Sequence, residues 1–230
     1  MDINEPVKSA FIVTSAVFAG RGSEEERKNQ TQKTVDSINE LGGYEVFLFD
    51  STGSPNISGC NVVDVSEHYG FFAIKKIVDI APDLNINGFK EGYLKNLSEI
   101  QIMLIALDSI DFNSFKRVFK ISGRYHLTES FNDSEHEKIT LKRFSSTWSS
   151  DITGIKKRTV TSLWSFSPEY IEEVKRVLIK SFDFILKKPY SNGCSDIEHT
   201  FAEFFNKNYV KCVPVMGVCG KVNNKRKIHS

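Results

Sequence analysis

The residues of this chain that could do chemistry fall into three clusters. The first is Lys120, Gly123, Arg124 and Tyr125, within Phe119-Lys120-Ile121-Ser122-Gly123-Arg124-Tyr125. Arginine presents a planar fork of donors to paired anionic oxygens, lysine a point charge, and glycine lets the backbone come close to a ligand. The second is Asp196, Glu198 and His199, groups able to take up or release a proton beside a reacting hydroxyl. Acids at a helix start also complement the helix dipole with no catalysis at all, and that reading stays open here. The third is Thr14, Ser15 and Arg21 with Asp50, Ser51 and Thr52, at the ends of two short apolar runs.

The elements that must position these groups are legible. Ala10 to Phe18 (AFIVTSAVF) is a β-branched apolar run and reads as a buried strand. Ser23 followed by Glu24, Glu25 and Glu26 is a helix start, and the helix runs to about Leu41, burying Val35, Ile38 and Leu41 before Gly42-Gly43. Glu45–Phe49 and Asn61–Val65 read as further strands. Strand, helix, strand in this order predicts parallel pairing with right-handed crossovers, and ligands in such sheets bind at the carboxyl ends of the strands. A short helix through Ile74, Ile77 and Val78 precedes a longer one over Leu94–Leu107, apolar on nearly all sides and therefore buried. Phe115–Ile121 is a central strand; Ile139–Phe144 and Thr159–Phe166 follow, separated by the Ser/Thr-rich stretch Ser145–Thr153. Ser167-Pro168-Glu169 opens a helix carrying Ile171, Val174, Val177, Leu178 and Phe182, and a last helix spans about Ser195–Asn206. The tail from Lys221 is basic and polar.

The bulk composition excludes several classes. The chain has 230 residues, 40% hydrophobic and 26% charged, with a formal net charge of +1. That charge supplies no field for nucleic acid, so any basic site is local. Cys60, Cys194, Cys212 and Cys219 form no CxxC pair and are expected to be reduced thiols. No basic segment leads into an apolar stretch at the N-terminus, and no apolar run reaches the ~18 residues of a membrane span. A cytoplasmic protein is expected. Gly20-Arg21-Gly22 does not continue as GxGxxG, because position 25 is Glu, and no Walker A motif is present. Dinucleotide enzymes and P-loop NTPases are poor fits. One domain over 1–230 is expected, with a nucleotide-binding half at about 8–125 and an acceptor half at about 126–220.

The first strand ends in Thr14-Ser15, the helix after it carries Arg27, Gln30-Thr31, Thr34-Val35 and Ser37-Ile38, and the second strand ends in Asp50-Ser51. Lys95-Asn96-Leu97-Ser98-Glu99 with Met103 precedes the strand ending in Lys120–Tyr125. This arrangement resembles the GT-A fold glycosyltransferases of the small bacterial and viral polysaccharide-synthesis type, several of which carry a similar KxxGRY phrase. The resemblance spans most of residues 10–205. It implies a three-layer α/β/α domain with a mainly parallel central sheet. The implied activity moves a sugar from a nucleotide-sugar donor to a saccharide or lipid-linked saccharide acceptor. Thr14, Ser15, Arg21, Asp50, Ser51, Lys95, Lys120, Gly123, Arg124 and Tyr125 would face the donor. Glu198 would be the base, with Asp196 behind it. His199 and Trp148 would meet the acceptor, and Ser145–Thr153 could close as a lid.

One departure is large. Metal-dependent members carry Asp-x-Asp at the end of the central strand, where it holds Mn²⁺ or Mg²⁺ against the donor diphosphate. Ser122-Gly123-Arg124 stands there instead, and Asp108-Ser109-Ile110-Asp111 precedes the strand. Lys120 and Arg124 are then expected to offset the charge of the leaving diphosphate, with metal-independent transfer or weak dependence on Mn²⁺ or Mg²⁺. An ordinary structural salt bridge at this strand end is the alternative. Inversion is favoured, since no second nucleophile is evident. Lys156-Lys157-Arg158 and Lys225 with Lys227 read as solvated faces or as attraction to an anionic, phospholipid-linked acceptor at a membrane surface. The rival readings are a nucleotidyltransferase on a similar layout and a non-catalytic nucleotide-sugar-binding module.

Overall fold

The computed structural model describes residues 8–17, 23–80, 90–145, 157–187, 196–222 and 225–229. Arg21, Trp148 and Cys194 lie outside these residues, as does nearly all of the Ser145–Thr153 stretch.

The central sheet contains β1 (Ser9–Ser15), β2 (Tyr44–Asp50), β3 (Asn61–Asp64), β4 (Val118–Ser122), β6 (Ile139–Ser145), β7 (Lys157–Phe166) and β8 (Val210–Cys212). Their spatial order is β3-β2-β1-β4-β7-β6-β8. The β1, β2, β3 and β4 strands pair in parallel, and β7 runs antiparallel to both β4 and β6. From β1 the chain builds outward to β2 and β3 on one side and to β4 on the other. The winding changes direction between β1 and β4, and the carboxyl ends of strands at such a point are where open α/β sheets bind ligands. The β1 strand is buried on both faces: Ala10 and Ile12 join one apolar core, Phe11 and Val13 the other.

The face carrying Ala10 and Ile12 is covered by α3 (Lys90–Ser109), α4 (Ile171–Leu186) and α5 (Ile197–Phe204), with α2 (Tyr69–Ile80) packed on α3. The opposite face is covered by α1 (Glu24–Asn39) and by a second sheet of β5 (Tyr125–Leu127), β9 (Val218–Val222) and β10 (Lys225–His229), in the order β10-β9-β5. The result is a three-layer α/β/α domain with a mainly parallel sheet, as the sequence implies.

Ser23 caps α1 by accepting from the Glu26 amide, and Val35 and Ile38 are buried beneath the helix. Leu41 departs from expectation: α1 stops at Asn39, Gly42 and Gly43 take φ of 67° and 76°, and the turn leaves Leu41 50% exposed. Phe115 precedes its strand rather than opening it: Asp111 caps a 3₁₀ turn over Phe112–Ser114, and β4 begins at Val118. The basic tail also departs from a plain polar reading, since Lys225–His229 pairs antiparallel with β9. Trp164 is in the core, edge-on to Phe201. Cys60, Cys212 and Cys219 are not in disulfides.

Candidate active site

The strand ends meet as the register requires. Ser15 lies opposite Asp50, and Thr14 opposite Ser122. The Gly123 amide donates to the Thr14 carbonyl at 2.9 Å, and the Ser51 amide to the Ser15 carbonyl at 3.2 Å. Thr14, Ser15, Asp50, Ser51 and Gly123 therefore form one rim. Asp50 organises it: one carboxylate oxygen accepts from the Ser15 hydroxyl and, at 3.0 Å, from the Val17 amide. The other accepts from the Thr52 amide at 2.8 Å and the Thr52 hydroxyl at 2.6 Å. Asp50 is fully buried, so its charge shapes the loops rather than meeting a ligand directly. Gly123 is a glycine because a Cβ there would sit 3.0 Å from the Thr31 hydroxyl and 3.1 Å from the Ser15 Cβ. The close approach it permits is to α1 and to β1.

Lys120 overturns one expectation. Its side chain is 1% exposed; the ammonium donates to Glu99 of α3 and, at 3.0 Å, to the Thr161 carbonyl of β7. A buried ammonium so engaged holds Glu99 in place and does not reach a donor beyond the strand ends. Burial works against ionised Glu99, but the charges of Lys120, Lys95 and Arg124 outweigh it and hold the carboxyl below its ordinary range. Burial likewise lowers the Lys120 ammonium, with Glu99 opposing. Desolvation raises the Tyr125 phenol, which also feels Arg124 and Glu99. Glu99, Lys120, Lys95, Arg124 and Tyr125 thus form one electrostatic unit. Lys95 is exposed and Arg124 half-buried, so the positive charge turned outward is theirs.

Glu99 is the member that sequence reasoning did not single out as a site residue. The signal was present: a carboxylate within a helix apolar on nearly all sides must find a buried cation. Alongside this unit a cleft of about 630 Å³ runs between α1 and the small sheet, lined by Glu26, Asn29, Gln30, Lys33, Arg124 and His126 among others.

The second cluster stands farther along the same edge. Asp196 caps α5, accepting from the His199 amide at 3.1 Å and bonding its Nδ1 at 2.7 Å. The Arg158 guanidinium of β7 bridges Asp196, at 2.9 Å, and Glu198. Burial opposes ionised Asp196, yet the His199 bonds and the Arg158 charge outweigh it and keep its pKa low. Capping is therefore real for Asp196. Glu198 is about 30% exposed at its side chain and remains reachable. His199 is 2% exposed, not on the helix surface, because its ring folds back onto Asp196. A direct acceptor contact is out of its reach. The solvated-face reading of Lys156-Lys157-Arg158 is corrected at Arg158, which belongs to this cluster.

Among the described residues, no three of His, Cys, Asp and Glu gather as metal ligands. Two of the described acids are already committed: Asp50 is saturated by four donors, and Glu99 is held by Lys120. No described helix is long and apolar enough to cross a membrane.

No family model matches the chain, and no curated protein does. Solved structures do resemble it. Core-mannan synthase A from Aspergillus fumigatus, in its Mn/GDP form, is similar at 6% identity over 97% of this chain and 76% of that one, with a TM-score of 0.56. A glycosyltransferase involved in glycosylating the major capsid of PBCV-1 is similar at 10% identity, over 91% of this chain and 83% of that one, at 0.48. Mouse xyloside xylosyltransferase 1 is similar at 10% identity, over 90% and 85%, at 0.47. The likeness to core-mannan synthase A, the one of these with a TM-score above one half, establishes the fold. The chain has the GT-A-like fold of glycosyltransferases.

Proposed function

We propose that this protein is a glycosyltransferase that moves a sugar from a nucleotide-sugar to a saccharide or lipid-linked saccharide acceptor. The observation carrying the proposal is the rim at the carboxyl ends of β1, β2 and β4, where Asp50 fixes the loops and Lys95 and Arg124 turn positive charge outward. The core-mannan synthase structure of the same fold is a Mn/GDP form, which supports a nucleoside diphosphate as the group this rim meets, and the Mn²⁺ of that form is why the test below is run with and without metal.

In this reading the nucleoside rests against the rim that Thr14, Ser15 and Ser51 form. Lys95 and Arg124 offset charge developing on the leaving diphosphate, and fixed cations need no reorganisation as that charge grows. Lys120 and Tyr125 hold Glu99 and Arg124 in register. Transfer then proceeds without a bound metal, or with slight dependence on one. Glu198 takes the proton of the acceptor hydroxyl, which attacks the anomeric carbon as the diphosphate leaves from the opposite face, giving inversion.

The test is turnover with UDP-, GDP-, dTDP- and CMP-sugars over varied saccharide acceptors, with and without Mn²⁺. Glu198→Gln should lower kcat by on the order of 10²-fold or more while leaving nucleotide affinity intact. Wild-type kcat in that variant would remove Glu198 from the mechanism, and binding with no transfer to any acceptor would favour a nucleotide-sugar-binding module.

A further inference from the structure

Arg143 of β6 differs from the arginines around it. Arg117 donates to the Ser165 and Ser167 hydroxyls and the Lys138 carbonyl. Arg158 holds two carboxylates, and Arg176 forks onto Glu173. Arg143 is half-buried, and its Nε and Nη2 are shut off from solvent with no hydrogen-bond partner among the described residues. A desolvated guanidinium lacking acceptors is costly, and the group that offsets it best is an anion with two oxygens to match the fork.

Its position says which molecule would bring that anion. Arg143 lies opposite Thr159 in the antiparallel β6–β7 pair, and opposed side chains share a face. The Thr159 hydroxyl donates to the backbone carbonyl of Glu198. Arg143 therefore projects onto the α5 side of the sheet, where Glu198 stands. In the β4–β7 register Ile121 meets Leu163, so β7 residues before Leu163, Thr159 among them, lie toward the carboxyl ends of β1 and β4. Arg143 shares that edge, two strands beyond β4.

We propose that Arg143 binds an acidic group of the acceptor, a carboxylate or a phosphate, and thereby selects acidic saccharides over neutral ones. The inference rests on the transferase reading for the word acceptor; the acid site itself does not. The guanidinium clamps the acid through two parallel N–H···O bonds, which turns the neighbouring sugar hydroxyl toward Glu198. Arg158 cannot serve in its place, because Asp196 and Glu198 already occupy it.

The test is calorimetric titration of the full chain with methyl β-glucuronide, glucose 1-phosphate and neutral methyl β-glucoside, each with and without saturating nucleoside diphosphate. The wild type should bind one of the two acids, and which one identifies the source of the charge, while the glucoside binds at least tenfold more weakly. Arg143→Met should weaken the acid at least tenfold, leave nucleotide affinity unchanged and raise Tm, since a buried unpaired charge is removed. Equal affinity for acid and glucoside overturns the proposal, as does acid binding that survives Arg143→Met, or a lowered Tm in that variant. If Arg143→Met does not fold, Arg143→Lys keeps the charge and loses the fork. Acid affinity should still fall several-fold there, and wild-type affinity would overturn the clamp. If acid binding depends on Arg143 and no nucleotide binds, the transferase reading falls and the acid site stands. Nucleotide binding with no acid binding gives the reverse.

Discussion

Two stretches of one sheet edge are built in opposite ways. At the ends of β1, β2 and β4 every buried charge is answered inside the protein: Asp50 by four donors, Lys120 by Glu99 and the Thr161 carbonyl. Among the described residues, the outer cations Lys95 and Arg124 face away. At the Ser145–Lys157 end of the β6–β7 pair one arginine is shared by two carboxylates, while Arg143 keeps two nitrogens buried and unanswered among the described residues. The first stretch is stable without a ligand and supplies a fixed electrostatic frame. The second leaves a desolvated cation that an anionic ligand would answer.

The largest effect that would break this contrast is expected at the buried pair. Lys120→Met alone leaves Glu99 charged and unpaired and should cost about 4 kcal/mol in denaturant unfolding. Glu99→Leu combined with Lys120→Met should recover most of that loss, because a well-packed apolar replacement is nearly neutral. A single-variant cost near zero would mean that the pair is not answered internally, and the two stretches would no longer differ.

A smaller effect, governed by pH, comes from His136. Burial and the neighbouring Arg117 push its pKa down to about 4, and its ring Nδ1 bonds the Ser165 hydroxyl. The folded state therefore binds fewer protons than the unfolded chain between about pH 6.5 and 4. Stability should fall as pH drops through that window, by up to about 3 kcal/mol. His136→Gln should flatten this acid limb in pH-dependent melting, and an unchanged limb would place the sensitivity elsewhere.

Smaller still, and sharpest for function, is Arg124→Ala, which should cost about 2 kcal/mol of nucleoside diphosphate affinity, roughly thirtyfold. Its Tm should move little, since Arg124 faces outward. A large fall in Tm would make Arg124 structural, like Lys120.

The contrast also explains what the sequence discloses. The β1 and β2 strands are legible because near-continuous apolar runs suit strands buried in the sheet, and α1 is legible from its Ser23 cap. The β5, β9 and β10 strands are not, because each has three to five residues and β5 finds its partner about 90 positions later. The cationic strand end is visible in Lys120–Tyr125, yet its division of labour is not. Which lysine is buried depends on α3 crossing β4, and Glu99 lies 21 residues from Lys120. Asp196 and Glu198 stand out as helix-start acids, whereas Arg158 and Arg143 acquire meaning only through the β6–β7 register and the docking of α5.

The central claim is that the rim of β1, β2 and β4 receives a nucleoside diphosphate. Calorimetry of the full chain against UDP-, GDP-, dTDP- and CMP-sugars, with and without Mn²⁺, tests it most directly. Saturable binding of at least one diphosphate donor, little changed by Mn²⁺ and weakened in Arg124→Ala, is the predicted result. No binding to any of them, with or without metal, would contradict it.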